Sequence, residues 1–282
     1  MPLTVLDSIT MPGHPVNEDA IGATPAAAWV IDGTSGPFGR SLLPGPSNAA
    51  WLVRTLNDAL AVQFAAPRAD PPVLLADVAA QIAAAYAASA LGPAPAHEQP
   101  SACLALVARD RQGGLHLFNV GDCRLLFGRQ GAVSGFGTSG IERLEGALVA
   151  EMVRLRREAP ARDPRPALRA ILRQNFATAM NRPGGYWVVH PTMPWVAAVQ
   201  HLRVPAGEAD HLMLMSDGLF RLVDVFGAFD EATLFAAALD GRGLAGLHAE
   251  LRRYEAGDPE CQRHPRFGAT DDASALLLRV SA

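Results

Sequence analysis

The chain contains no lysine; among its 282 residues every basic side chain other than histidine is an arginine. That excludes Schiff-base chemistry on a lysine amine and the phosphate-gripping lysine of P-loop nucleotide enzymes. Cysteine is also scarce. Cys103, Cys123 and Cys261 are odd in number and far apart, which argues against a disulfide framework and for a reducing compartment, the cytoplasm being the expected location. A net charge of -4 offers no general attraction to nucleic acid or to an anionic membrane surface, so neither is an expected partner. Long apolar runs are missing too. The longest candidate for a membrane span, residues 74–91, is rich in alanine and interrupted by Asp77 and Gln81. The opening LTVLDSIT reads as a strand and lacks the basic-then-apolar layout of a secretion signal.

What is present suits a layered globular fold. Apolar residues make up 49%, enough for a substantial core, and the length fits one large domain over residues 1–282. Short aliphatic runs bounded by Gly, Pro or Asp predict strands at 3–10, 27–31, 102–109, 115–120, 124–127, 196–204, 211–215 and 275–280. Hairpin turns are expected at residues 110–113 and 128–131. Ser47 is placed to cap a helix whose Trp51, Leu52, Leu56 and Leu60 share a face. Pro71 and Pro72 suit the first turn of the next, which runs through Leu74, Val78, Ile82 and Tyr86. Further helices are expected near 219–226, 231–239 and 244–254. Between about residues 135 and 194 the strand pattern lapses, and two helices, 142–158 and 166–180, joined by a Pro-containing connector, predict a helical flap-like insertion. From Glu151 to Arg173 this insertion carries seven arginines against three acids. The plain reading is a solvated helix face; the alternative is attraction of an acidic phosphorylated segment.

Acidic residues recur at strand edges. Asn17-Glu18-Asp19 follows the first strand, Asp32-Gly33 ends the run Ala-Ala-Ala-Trp-Val-Ile, Asp217-Gly218 ends Leu-Met-Leu-Met-Ser, and Asp271-Asp272 precedes the last strand. A single Asp-Gly is usually a hairpin turn. Here Thr34-Ser35-Gly36-Pro37 leads into no matching strand, and Gly218 leads into the helix-like LFRLVDVF. Carboxylates gathered at one end of a sheet repel one another unless a cation neutralises them. Hard oxygen donors without Cys or His favour Mg²⁺ or Mn²⁺ over zinc. A glycine after the aspartate lets the backbone approach, so that a carbonyl can also face the ion.

NEDA, VIDGTSG, NVGDCR, LMLMSDGLF and TDDASALLL occur in that order from Asn17 to Val280. Together they resemble the metal-dependent protein phosphatases of type 2C, the PPM family, in its bacterial form. The resemblance implies an α+β fold, an αββα four-layer sandwich of two mostly antiparallel β-sheets with helices outside. It implies a serine/threonine protein phosphatase that hydrolyses phosphomonoesters with a water activated by two Mn²⁺ or Mg²⁺ ions, acting on phosphoserine or phosphothreonine of a protein substrate. In that pattern Asp32 bridges both metals, the Gly33 carbonyl binds one of them, and Asp217 and Asp271 complete the other. Glu18 and Asp19 bind the second metal or its waters, and Asp122 in Gly121-Asp122-Cys123-Arg124 matches the position of an extra, weaker third ion.

Two positions depart from the family pattern. Where relatives carry a phosphate-gripping arginine three residues before the first-motif asparagine, this chain has His14, a pH-dependent cation. Where many relatives carry a histidine after the first Asp-Gly, it has Thr34. These departures set up a rival expectation: a weakly active or inactive relative that binds or regulates a phosphoprotein. A second rival is a cysteine-dependent phosphatase, since Cys123 and Arg129 satisfy the C-x5-R spacing. The intervening Arg-Leu-Leu-Phe-Gly alternates like a strand, too bulky for a phosphate cradle. His190, His201 and His211 fall singly in or near strands, without metal-ligand pairing.

Overall fold

The computed structural model describes residues 3–159 and 163–280. The two residues at either end of the expected single domain, and residues 160–162 of the Pro-containing connector, lie outside the described residues.

Two antiparallel five-stranded sheets form the centre. One runs in the order β1 (Leu3–Met11), β10 (Ala273–Val280), β9 (His211–Met215), β6 (Arg124–Arg129), β7 (Ala132–Phe136). The other runs β2 (Asp19–Ala23), β3 (Ala27–Thr34), β4 (Ser101–Arg109), β5 (Leu115–Val120), β8 (Gln200–Val204). Side-chain alternation explains the layering. On β3, Ala27, Trp29 and Ile31 face a helical layer made by α1 (Asn48–Gln63) and α2 (Leu74–Ser89), whereas Ala28 and Val30 face the opposite sheet. On β9, Leu212 and Leu214 point between the sheets. Met213 and Met215 point to the other helical layer, α5 (Asp217–Asp224), α6 (Glu231–Leu239) and α7 (Gly243–Gly257). Strands buried on both faces read as near-continuous apolar runs, and each fully buried leucine, such as Leu104 or Leu106 on β4, contributes roughly 2 kcal/mol of transfer free energy. The four-layer α+β arrangement expected from the sequence is the one observed.

Local signals account for most boundaries. The Ser47 side chain accepts a hydrogen bond from the Ala50 amide (3.0 Å), capping α1 as expected. Pro71 and Pro72 open a 3-10 turn that runs into α2. Helix α2 with that turn is apolar and long enough to cross a membrane by length and composition. Here Leu74, Val78, Ile82 and Tyr86 pack it into the core beneath α1.

Three expectations need correction. Strands β2 and β7 went unread because both are short, glycine-containing and half-exposed; cross-strand pairing with β3 and β6 holds them in place. The strand expected from residue 196 begins at Gln200, because residues 196–198 form a 3-10 turn that lets Trp195 bury in the core. His201 is not isolated: its ring lies near-parallel to that of His116, with Nε2 2.9 Å from His116 Nδ1, and stacks on Phe118.

Between β7 and β8 lie α3 (Ile141–Glu158) and α4 (Arg165–Thr178), which share a small apolar contact of Leu148, Met152 and Leu168. Arg156 Nη1 donates to the Cys261 carbonyl (2.8 Å) and Arg173 Nε to the Pro37 carbonyl (3.2 Å), tying the pair to the body. Tyr186 is buried and Trp187 partly so, both packing against the core.

After the insertion the chain is pinned by His190, which is 2% exposed. Its Nδ1 accepts from the amides of Thr192 (3.1 Å) and Met193 (3.0 Å), and its Nε2 donates to the Ala96 carbonyl (2.9 Å). Burial pushes its pKa down to about 4. The unfolded chain therefore takes up this proton first, so the contribution of His190 is complete above about pH 6.5 and is lost as pH falls towards 4, up to about 3 kcal/mol. The carboxylates with raised pKa values described below act in the opposite sense, so the contribution of His190 is read as a difference: the urea midpoint of the protein should exceed that of His190→Gln at pH 7, and the gap should narrow between pH 6.5 and 4.5. A gap that stays constant over that range would contradict this assignment.

Candidate functional site

One end of the two sheets collects acidic side chains from distant sequence. Asp19 opens β2 and stands opposite Asp32 near the end of β3, and Asp32 in turn pairs with Cys103 of β4. Asp122 sits in the turn where the chain crosses from β5 in one sheet to β6 in the other. Asp217 begins α5 directly after β9, and Asp271 stands just before β10. Antiparallel pairing brings these strand ends to the same edge. The side chain of Ser216 links the sheets, donating to Asp19 Oδ2 (2.9 Å) while accepting from the Ser274 amide (3.0 Å).

Asp272 organises the loop before β2. Its Oδ1 accepts from the amides of Gly13 (2.7 Å) and His14 (3.3 Å), and its Oδ2 from the Glu18 amide (2.6 Å). The Glu18 carbonyl accepts from the Gly33 amide (3.0 Å), and Glu18 Oε1 accepts from the Ser35 hydroxyl (2.9 Å). Close approach demands glycine at two points. A Cβ on Gly33 would lie 2.7 Å from the Glu18 carbonyl oxygen, and one on Gly218 only 1.9 Å from that of Asp272.

The crowding shows in the protonation behaviour. Burial, reinforced for Asp32 by the charges of Asp19, Asp217 and Asp122, holds Asp19 and Asp32 well above the usual carboxylate range. Asp122 is pushed up to about 7 by burial and by Asp217. Asp271 and Asp224 each reach about 6 for the same two reasons. Metal-free, these groups retain protons that isolated carboxylates would have lost.

A cavity of about 410 Å³ opens over the cluster, lined in part by Asp122, Asp217, Asp271, Asp224, Glu145 and His14. Sequence reading missed Glu145. It lies on α3, and one oxygen of its carboxylate stands within 4.8 Å of oxygens from both Asp122 and Asp217. Burial and those two aspartates raise it to about 9. Glu145 is exposed at the cavity and Asp122 half-buried, and the neighbouring aspartate charges act on both. The signal available was slight: Glu142 and Glu145, one helical turn apart at the start of the insertion, share a face. Glu142 is consumed by Arg124; Glu145 points its charge at the aspartates.

Asp271 is braced from behind. Arg221, four residues after Asp217 on α5, donates to Asp271 Oδ2 and approaches Glu255 Oε1 (3.5 Å). Arg252 joins Glu255 (2.6 Å) to the Asp271 carbonyl (2.8 Å). His14 reaches the cavity from the opposite side, its half-exposed Nε2 at 3.7 Å from Asp271 Oδ1. The structure thus gathers Asp19, Asp32, Asp122, Asp217 and Asp271 and puts His14 at their rim, while the Glu18 carboxylate turns to Ser35. Cys123 is fully buried, and burial and nearby aspartates hold its thiol protonated; Arg124–Arg129 is strand β6, not a phosphate cradle.

A family profile described as protein phosphatase 2C matches residues 14–253. Among solved structures, the serine/threonine phosphatase PstP/Ppp of Mycobacterium tuberculosis is 16% identical with a TM-score of 0.57, each chain covered completely. The catalytic domain of PstP in complex with two manganese ions is 17% identical, with a TM-score of 0.60 over 100% of this chain and 99% of the other. Stp1 of Staphylococcus aureus is 14% identical, with a TM-score of 0.58 over 100% and 98%. At such identities the likeness to solved structures is one of fold. No curated protein matches the chain. The family match, running from His14 to Arg253 and so through Asp19, Asp32, Asp122 and Asp217 but ending before Asp271, carries the conclusion that the chain belongs to the protein phosphatase 2C family of serine/threonine protein phosphatases.

Proposed function

We propose that the chain hydrolyses phosphoserine or phosphothreonine in proteins with the help of Mn²⁺ or Mg²⁺ held at this carboxylate edge. The observation that carries the reading is the set of carboxylates from separate elements, most of them with raised pKa values, converging beneath one cavity. The donor set fits a hard divalent cation: the candidate ligands gathered at the cavity are carboxylates, among them Asp122, Glu145 and Asp217, and no cysteine among the described residues lines it. Bound divalent ions lower the pKa of water and balance charge on phosphoryl oxygens.

In this reading Asp32 and Asp217 are the central ligands, supported by Asp19, Asp271, the Gly33 carbonyl and Glu18. Asp122, joined by Glu145, forms a further, weaker site. Ser216 keeps Asp19 oriented, Asp272 fixes the loop that presents Glu18 and His14, and Arg221 aims Asp271. His14 offers the outward-facing phosphate oxygen a hydrogen-bond donor at the cavity rim. The complete set of carboxylates favours an active enzyme over a silent relative. Three free, buried cysteines support a cytoplasmic setting, and the net negative charge supports phosphoproteins rather than nucleic acid or membrane as partners.

On a phosphothreonine peptide, activity should require added Mn²⁺ or Mg²⁺. Asp32→Ala or Asp217→Ala should reduce it by about a thousandfold, about 4 kcal/mol of barrier. Glu145→Gln should leave the tight sites intact and weaken only the loosest Mn²⁺ in a calorimetric titration, by about tenfold or ~1.4 kcal/mol. Full turnover in excess chelator would sink the reading.

His14 generates a separate expectation. Arginine presents two parallel donors with a permanent charge, histidine at most one towards a given oxygen. His14→Arg should therefore lower KM for phosphopeptides by about tenfold, the size of one charge-assisted hydrogen bond, and His14→Ala should raise it. Unchanged KM in both variants would make His14 a bystander.

A further inference from the structure

A second concavity, about 1050 Å³, lies between the α3–α4 pair and residues 259–269. Pro265 and Phe267 line both it and the carboxylate cavity, so the two form one continuous surface. We propose that this groove seats the acidic segment flanking the phosphorylated residue of a substrate protein, making the enzyme selective for acidic phosphoproteins. The inference rests on the phosphatase reading and names the substrate class for that same site.

Charge carries it. Arg156, Arg157, Arg165 and Arg169 line the groove against only Asp163 and Glu260. Arg165 is already paired with Asp163 (2.9 Å). Arg156 spends one hydrogen bond on the neutral Cys261 carbonyl, which leaves its charge uncompensated. Arg157 and Arg169 make no ion pair among the described residues. The strip is positive on a chain whose net charge is -4. Arg154, counted with this group in the sequence, does not belong: it is held between Glu151 and Glu158 on the α3 surface and lines no part of the groove.

The groove floor adds an apolar element. Met152 and Leu168 are 3% exposed and close the base, while Phe267 stands 42% exposed on the boundary between the two cavities. A peptide with its phosphate over the carboxylate edge would pass Phe267 and lay its neighbouring residues along the arginines. Guanidinium forks match carboxylates and phosphates bidentately, so aspartate, glutamate or a second phosphorylated residue is the chemistry the groove accepts. Duplex or single-stranded nucleic acid would meet acidic surface beyond this short strip.

The test uses three substrates: para-nitrophenyl phosphate, a phosphothreonine peptide flanked by glutamates, and the same peptide with those glutamates changed to glutamine. The wild type should show a KM for the acidic peptide about tenfold below that for the neutral one, a difference that shrinks with added salt. Arg157→Ser with Arg169→Ser should remove that advantage and leave the neutral peptide and the aryl phosphate unaltered. Arg157→Glu with Arg169→Glu should reverse it, so that the KM for the acidic peptide rises above that for the neutral one. Equal KM for acidic and neutral peptides in an active wild type would overturn the groove assignment while leaving the phosphatase reading intact. No activity on any of the three would overturn that reading instead, and fluorescence anisotropy with a labelled glutamate-rich peptide would still decide the groove. Weak binding of that peptide, or tighter binding of an oligonucleotide, would count against the assignment.

Discussion

Mutual repulsion among carboxylates at one edge of the two sheets is the constraint to which the rest of the structure answers. Asp19, Asp32, Asp122 and Asp271 crowd together around Asp217, and burial with the charge of their neighbours holds these four above the usual carboxylate range. Under the proposed function a cation offsets this crowding, and the oxygen-only chemistry of the carboxylates suits a hard divalent ion. Glu145 extends the same logic to the insertion. A carboxylate on α3 ties the position of that helix to whatever neutralises Asp122 and Asp217.

Rigidity around the edge comes from neutral donors and from a brace set back from the cluster. Asp272 collects three backbone amides and thereby fixes the loop from Gly13 to Glu18. Ser216 stitches β9 to Asp19 across the sheets. Arg221 and Arg252, bridged by buried Glu255, hold Asp271 from the α5 and α7 side. Acids outnumber arginines around this cavity, whereas arginines outnumber acids along the neighbouring groove, which gives the two concavities opposite electrostatic character on one surface.

How much of this was legible depended on the kind of signal. Strands buried on both faces, such as 115–120 and 211–215, announced themselves as apolar runs, and Ser47 announced its helix by cap chemistry. Strands β2 and β7 carried no such pattern, because cross-strand pairing rather than burial defines them. The aspartates were readable because each interrupts or ends an apolar run next to glycine or a turn. Glu145 was not, since on a helix already rich in charge one more glutamate looks like solvent-facing surface; only the packing of α3 over the sheet edge turns it inward. The division of the insertion's arginines was equally hidden. Spacing alone does not say that Arg154 is neutralised by its i−3 and i+4 neighbours while Arg157 and Arg169 face a groove.

The most direct test of the central constraint is thermal unfolding of the wild type and Asp32→Asn, each in chelator and in saturating Mn²⁺. Asparagine needs no proton to sit in the cluster, so the Tm of the metal-free variant should lie above that of the metal-free wild type. Mn²⁺ at a hundred times its dissociation constant should stabilise the wild type by about 2.7 kcal/mol, a rise of roughly 5 °C or more for a chain of this size, and should add much less to the variant. A wild-type Tm indifferent to Mn²⁺, or a metal-free Asp32→Asn less stable than the metal-free wild type, would contradict the account.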